Sequence, residues 1–322
     1  MDAFIPLLKN VIIFVALAIP GYILVKIGSL KQEQSGVLSK LLMYIGLPFM
    51  ILSGVLGVEL NADTVKSIVI VAVLGVVITF LIIYITAIIT KKVSPDSQTY
   101  TEKMRGMIRF CQTFSNNGFL GLPIAGAVFG TTSPVFTYLV VLNIINNTII
   151  YTVGVYLVSC DKRTIKLTNV VLNPVLIAFV LGIILNLLNF KSVLPEVLSY
   201  SDHFKNIVTP LSMTILGMKL GSIKALDLFK DKNGYFVSTV KLVLVPVLAT
   251  AIAILINTLY PIGKEMIIAI FLGFAMPTAG LGSAFADHYD GDTRGAVIYT
   301  LGSTIFSIAT IPLLYALLCV II

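Results

Sequence analysis

Charge is scarce in this sequence. Only 11% of its 322 residues are Asp, Glu, Lys or Arg, while 57% are hydrophobic; soluble domains carry about 25% and roughly 45–50%. A chain with so little charge cannot cover a water-facing surface, which excludes an ordinary soluble globular protein. Cysteine is scarce too. Cys111, Cys160 and Cys319 are odd in number, far apart and set in or beside apolar runs, so neither a disulfide framework nor a zinc site is indicated. No basic region precedes the first apolar run and no small-residue cleavage site follows it, so the first helix is expected to be retained. Hydrolase signatures are missing: there is no H-E-x-x-H, no G-x-S-x-G and no pair of carboxylates within an apolar run. His203 and His288 stand alone near the ends of apolar segments, where a satisfied or solvated imidazole accounts for them. Asp287, Asp290 and Asp292 read as a solvated acidic turn rather than a metal cluster. No enzyme activity, cofactor or metal is expected. The net charge of +7 is dispersed over short loops instead of forming a basic domain, which argues against nucleic acid as a partner.

What the chain does have is long apolar runs, and they set the fold class. Segment 67–90, SIVIVAVLGVVITFLIIYITAIIT, is uncharged, and about 20 apolar residues in a helix cross a bilayer core roughly 30 Å thick. Barrel strands would instead alternate over about ten residues. The expected class is an all-α polytopic membrane protein embedded in the lipid bilayer. Ten spans are expected, near 4–25, 36–58, 66–90, 106–130, 134–159, 169–189, 204–221, 235–258, 265–286 and 294–320. The loops after the odd-numbered spans hold sixteen Lys and Arg against four on the other side, with Lys9 and Lys241 inside spans. The richer side is read as cytoplasmic, placing both termini outside the cell membrane.

Internal similarity divides the chain in two. LPIAG (122–126) and MPTAG (276–280) share Pro-x-Ala-Gly at an offset of 154 residues, Pro48 and Pro210 lie 162 apart ahead of Gly-bearing apolar runs, and Tyr138 and Tyr299 lie 161 apart. The matches imply two five-helix repeats, 1–160 and 161–322. An odd number of helices per repeat forces the second to enter the membrane inverted, an arrangement found in secondary transporters.

Residues 112–130, QTFSNNGFLGLPIAGAVFG, gather polar residues, glycines and a proline inside span four. A mid-span proline removes a backbone donor, and irregular backbone within a membrane is tolerated only where protein or a watery cavity surrounds it. Spans four and nine are therefore expected to be broken helices that cross, with breaks at Gly121, Pro123, Pro277 and Gly280. The start of a second half-helix offers free N–H groups and a positive dipole end, which attract anions. Those starts are expected at Ile124 to Gly126 and Thr278 to Gly280, so Ile124, Thr278 and Ala279 join Ser115, Asn116 and Asn117 as candidate substrate contacts. For the polar side chains, and for Gln112, the alternative is repair of freed backbone groups or bonding across helices. Asn143, Asn146 and Asn147 share a face of span five. Asn143 and Asn147 are candidates for the cavity wall, and the same stripe also fits adhesion between helices.

NNGFLGLPIAGAVFG, MPTAGLGSAFADHYDGD and IYTLGSTIFSIATIPLLYALL resemble the auxin efflux carrier family, which includes plant PIN-FORMED carriers and bacterial malate or malonate permease-like proteins. The resemblance extends along nearly the whole chain. It implies transport of organic anions through a crossover of helices four and nine, with the Asn six residues before the crossover proline, here Asn117, contacting the carboxylate. It also implies an elevator motion in which spans three to five and eight to ten move against a scaffold of spans one, two, six and seven. Loops 59–66 and 221–235, carrying Asn61, Asp63, Asp231, Asn233 and Gly234, would then be the hinges. The short loop CDKRTIKL (160–167) departs from the long hydrophilic loop of plant members, so regulation by its phosphorylation is not implied.

Three alternatives remain at this point. A sodium-coupled organic acid or bile acid symporter, or an ion antiporter, would be expected to place acidic groups at the crossover. Between Met266 and Ala286 there is no Asp, Glu or Gln, although sodium can be bound by carbonyls and hydroxyls alone. The third is a non-transporting sensor. The crossover's polar residues read as neutral, from which electrogenic transport without obligatory ion coupling is expected. GAVFG (126–130) and GMKLG (217–221) are small-xxx-small patterns that suit packing within the bundle and also a homodimer contact.

Overall fold

The computed structural model describes residues 4–93, 101–165, 168–189, 196–222 and 230–322. Lys191, Lys224, the end of the short loop at Lys166 and Leu167, and residues 223–229 of the second expected hinge lie outside them. Among the described residues the chain is helical, with no strand and a single isolated β-bridge. Its principal helices are α1 (Phe4–Lys26), α2 (Gln32–Leu56), α3 (Ala62–Val93), α4 (Glu102–Thr113), α5 (Asn117–Phe129), α6 (Pro134–Ser159) and α7 (Pro174–Leu187). They continue with α8 (Glu196–Asn206), α9 (Val208–Gly221), α10 (Lys232–Leu259), α11 (Lys264–Ala275), α12 (Leu281–His288) and α13 (Thr293–Ile321). Five of these, α2, α3, α6, α10 and α13, are long and apolar enough to cross a membrane.

Local chemistry sets several boundaries. The side chains of Asn61, Thr101, Asp231 and Asp292 each accept from a backbone N–H in the following first turn, the N-cap arrangement that satisfies orphan donors. Asn61 and Asp231, two of the expected hinge residues, are thus helix caps. Turns widened to π geometry occur at Leu42–Gly46, Asn117–Gly121, Ile150–Gly154 and Val240–Leu244. Such turns insert one residue into a helix and are frequent at functional positions.

The described chain forms two compact units. The first gathers Met1–Ile70, Gly118–Ile144 and Val171–Ile223. Its α1 and α9 touch backbone to backbone: a Cβ on Gly21 would stand 2.1 Å from the Thr214 carbonyl oxygen, and one on Gly217 only 1.8 Å from that of Ala18. Small residues allow this approach, and dispersion between the packed helices takes the place of a hydrophobic drive that lipid does not provide. On α7, Gly182 lies against Val55, and Asn186 Nδ2 donates to the carbonyls of Val55 and Val58 at 2.7 and 2.8 Å, closing the C-terminal end of α2.

The second unit gathers Val71–Asn117, Ile145–Val170 and Lys224–Ile322. Here α4 meets the end of α6 through Gly106, whose Cβ would stand 1.8 Å from the Leu157 carbonyl oxygen. Gly282 opens α12 to the Phe110 ring, which also packs on Phe114 with centroids 5.0 Å apart.

The α1–α9 contact yields a stability prediction. Gly217→Val must drive two backbones apart, and overpacking of a filled interior costs typically about 1–3 kcal/mol. The purified variant in detergent should unfold at a clearly lower temperature than the wild type. An unchanged midpoint would mean that the two helices do not touch there.

Candidate functional site

Two helices of the second unit stop in mid-sequence at the same place. α4 ends at Thr113, and Phe114 is extended (φ −91, ψ 135). α11 ends at Ala275, and Met276 is extended (φ −62, ψ 147). The causes differ. Ser115, Asn116 and Asn117 carry short polar side chains that compete with helical bonding, whereas Pro277 disfavours helical geometry in the residue before it.

The two extended pieces pair antiparallel through the bridge Ser115–Thr278. Asn116 N donates to the Pro277 carbonyl at 2.8 Å and Ala279 N to the Phe114 carbonyl at 2.9 Å. Each break thus supplies the hydrogen-bond partners that the other has lost. Side chains complete the arrangement. Asn146 brackets Ser115, accepting from its N–H at 3.3 Å and donating to its carbonyl at 2.9 Å. Thr278 donates its hydroxyl to the Cys111 carbonyl at 2.8 Å and its N–H to Ser303 Oγ at 3.2 Å. Gln112 and Thr113 face α3, where Gln112 Oε1 accepts from Thr90 and the Thr113 and Thr86 hydroxyls meet at 3.1 Å.

Of the residues singled out from the sequence, Ser115, Asn116, Thr278 and Ala279 come together at this crossing, with Asn117 directly following. Asn117 is 2% exposed, and among the described residues its Oδ1 has no hydrogen-bond partner. Buried polar atoms are rarely left so, and an amide turned about its last torsion presents two N–H donors in the same place. Asn147 lies in the second unit beside Asn146, whose own role is to hold the Ser115 backbone. Ile124, Asn143, Gly121 and Pro123 fall in the first unit.

Two differences from the sequence reading have physical causes. The break between α4 and α5 is earlier than Gly121 and Pro123: helix resumes at Asn117, through the widened turn Asn117–Gly121, and Pro123 follows within the first residues of the regular helix, where a missing N–H is tolerated. The chain re-enters helix at Asn117 rather than at Ile124. Between α11 and α12, Pro277 lies in the break and Gly280 is the N-cap of α12.

The second difference is Lys241. The crossing is not built from neutral residues alone: Lys241 in α10 is fully buried, and its ammonium donates to Ser115 Oγ at 2.6 Å and to the Phe274 carbonyl at 3.2 Å. Among the described residues no carboxylate lies within ion-pairing distance of it. A signal was present in the sequence, since a lone lysine in mid-span marks a functional position by default. Its contact with the crossing, 126 residues away in sequence, was not legible. At the edge of the unit, Lys103 pairs with Asp290 at 2.9 Å, and this hydrogen bond holds the exposed Asp290 carboxyl below the usual carboxylate range. Asp292 caps α13.

Comparison with known proteins adds three findings. The profile of a family described as membrane transport protein matches residues 6–169, a range that includes Ser115 to Asn117. That of the sodium bile acid symporter family matches residues 213–322, including Lys241 and Thr278. A protein of Methanothermobacter thermautotrophicus described as an uncharacterized transporter is 24% identical over 316 residues, spanning 95% of this chain and 96% of its own length.

The bracketing of Ser115 generates a test. Asn146→Ala leaves one buried backbone donor and one buried acceptor unpaired, at a cost of about 1–3 kcal/mol each. The variant should show a lowered thermal midpoint in detergent, with Asn146→Gln intermediate. If Asn146→Ala unfolds like the wild type, the asparagine does not hold the crossing.

Proposed function

The chain belongs to the membrane transport protein family, that of the auxin efflux carriers, and from that premise we propose that it is a secondary carrier of small organic anions, carboxylates such as malate or related dicarboxylates. The observation that carries this reading is the crossing at Ser115 and Thr278, beside which helix restarts at Asn117 with a buried, unpartnered amide oxygen. Helix starts attract anions through free N–H groups and the dipole, and the Asn117 amide adds a neutral donor.

In this reading ten spans form two inverted five-helix repeats in the plasma membrane with both termini outside, and transport proceeds by an elevator motion. Spans three to five and eight to ten carry the site past a scaffold of spans one, two, six and seven. Support comes from the compact units, since the first contains residues 1–70 and 171–223, and the second contains 71–117, 145–170 and 224–322. Gly118–Ile144, from the ends of spans four and five that meet, belongs to the first unit. A second reading, sodium-coupled symport, is favoured by the match of residues 213–322 to the sodium bile acid symporter family.

Both readings are open to measurement in proteoliposomes loaded with labelled malate. An anion moved without a coupling ion carries net charge, and each elementary charge crossing 100 mV is worth about 2.3 kcal/mol. An inside-negative potential should therefore accelerate malate release in the absence of sodium and pH gradients. Release that ignores the potential and requires a sodium gradient would establish the symporter instead.

The role of Asn117 is tested separately by binding. Loss of a hydrogen bond to a charged group costs about 1.5–3 kcal/mol, roughly tenfold to more than a hundredfold in affinity. Asn117→Ala should weaken malate binding by that factor while thermal stability changes little. Wild-type affinity in the folded variant would put the carboxylate elsewhere.

A further inference from the structure

Lys241 has more donors than the described residues satisfy. An ammonium carries three N–H groups. Two find acceptors, Ser115 Oγ and the Phe274 carbonyl, and among the described residues no third acceptor and no carboxylate is recorded for the group. The surroundings suit a cation. Phe274 lies in the last turn of α11, where backbone carbonyls have no helical partner and the dipole end is negative, and Ser115 follows closely on the C-terminal end of α4.

The crossing therefore has two polarities. Its carbonyl ends, from α4 and α11, face the ammonium and the Thr278 hydroxyl, while helix restarts at Asn117 and Leu281, and the first N–H groups of a helix have no helical partner. A buried ammonium without a counter-ion is costly in a low dielectric; the Ser115 hydroxyl, the Phe274 carbonyl and the negative end of α11 offset part of that cost, and a bound anion accepting the remaining N–H removes the rest.

We propose that Lys241 is the resident cation of the site: its ammonium is the counter-charge of the bound carboxylate, and it crosses the membrane field with the moving block in both the loaded and the empty state. The proposal rests on the anion-carrier reading and assigns the charge within it. No bond is made or broken and no proton is transferred. Malate enters as a dianion, so the loaded site carries one net negative charge and the empty site one positive charge. The empty return is then an electrogenic step of the cycle, driven inward by an inside-negative potential.

Two measurements on the full-length protein test this, one without substrate. In a voltage-clamped membrane free of organic anions, a potential step should give a transient charge movement in the wild type and in Lys241→Arg, and none in Lys241→Met. In a binding titration with L-malate, Lys241→Met should bind about ten- to a hundredfold more weakly, with Lys241→Arg within a few-fold of wild type. Should Lys241→Met not fold, Lys241→Gln keeps a hydrogen-bonding end without the charge and is expected to behave the same way. A merely structural lysine would alter the thermal midpoint but neither readout. Charge movement that persists in the neutral variants, or is absent from the wild type, overturns the proposal, as does unchanged malate affinity in a folded neutral variant. A wild type that binds no malate but shows the lysine-dependent charge movement would count against the malate reading and leave Lys241 as the moving charge.

Discussion

The constraint on which this structure depends is that a backbone interrupted among apolar surroundings must find new hydrogen-bond partners. No water is available in a hydrocarbon core to take the place of a lost helical bond. Two interruptions brought together solve the problem for each other, as Asn116 and Ala279 donate across the gap to the carbonyls of Pro277 and Phe114. Neither break is satisfied alone. The pairing sets the register of α4 against α11, with Ser115 opposite Thr278.

Once the backbone is paired, the side chains that remain determine the chemistry. Asn146 and Ser303 are used to hold the pairing, so they are poorly placed to bind anything else. Asn117 and Lys241 keep unspent hydrogen-bonding capacity in a buried place. The difference between a structural asparagine and one available to a ligand thus comes from the partners each finds, not from residue type or from its place in a stripe along the helix.

Close approach has its own sequence requirement. Gly217 against Ala18 in one unit and Gly106 against Leu157 in the other bring main chains to distances that no side-chain carbon would tolerate. The glycines were visible in the sequence, and GMKLG already suggested tight packing. Which helix each would meet was not visible, because a small-residue face specifies only that something comes near it.

The sequence by itself determined that this is a helical protein of the membrane, since composition and the length of uninterrupted apolar runs leave no other way to satisfy the backbone. It also determined that polar and helix-breaking residues gather in two distant segments and interrupt the helix there, because Asn, Ser, Gly and Pro act on the backbone locally. Only the tertiary structure decided where α4 stops. Proline, the strongest local breaker, is absorbed at Pro123 after a widened turn, and the chain leaves the helix at Phe114 to Asn116, where Pro277 to Ala279 provide partners. Tertiary structure likewise gave Lys241 its place. A hydrophobic pattern records that a lysine lies within a span, but which carbonyl and which hydroxyl its ammonium meets depends on contacts between segments far apart in the chain, and these form only when the helices pack.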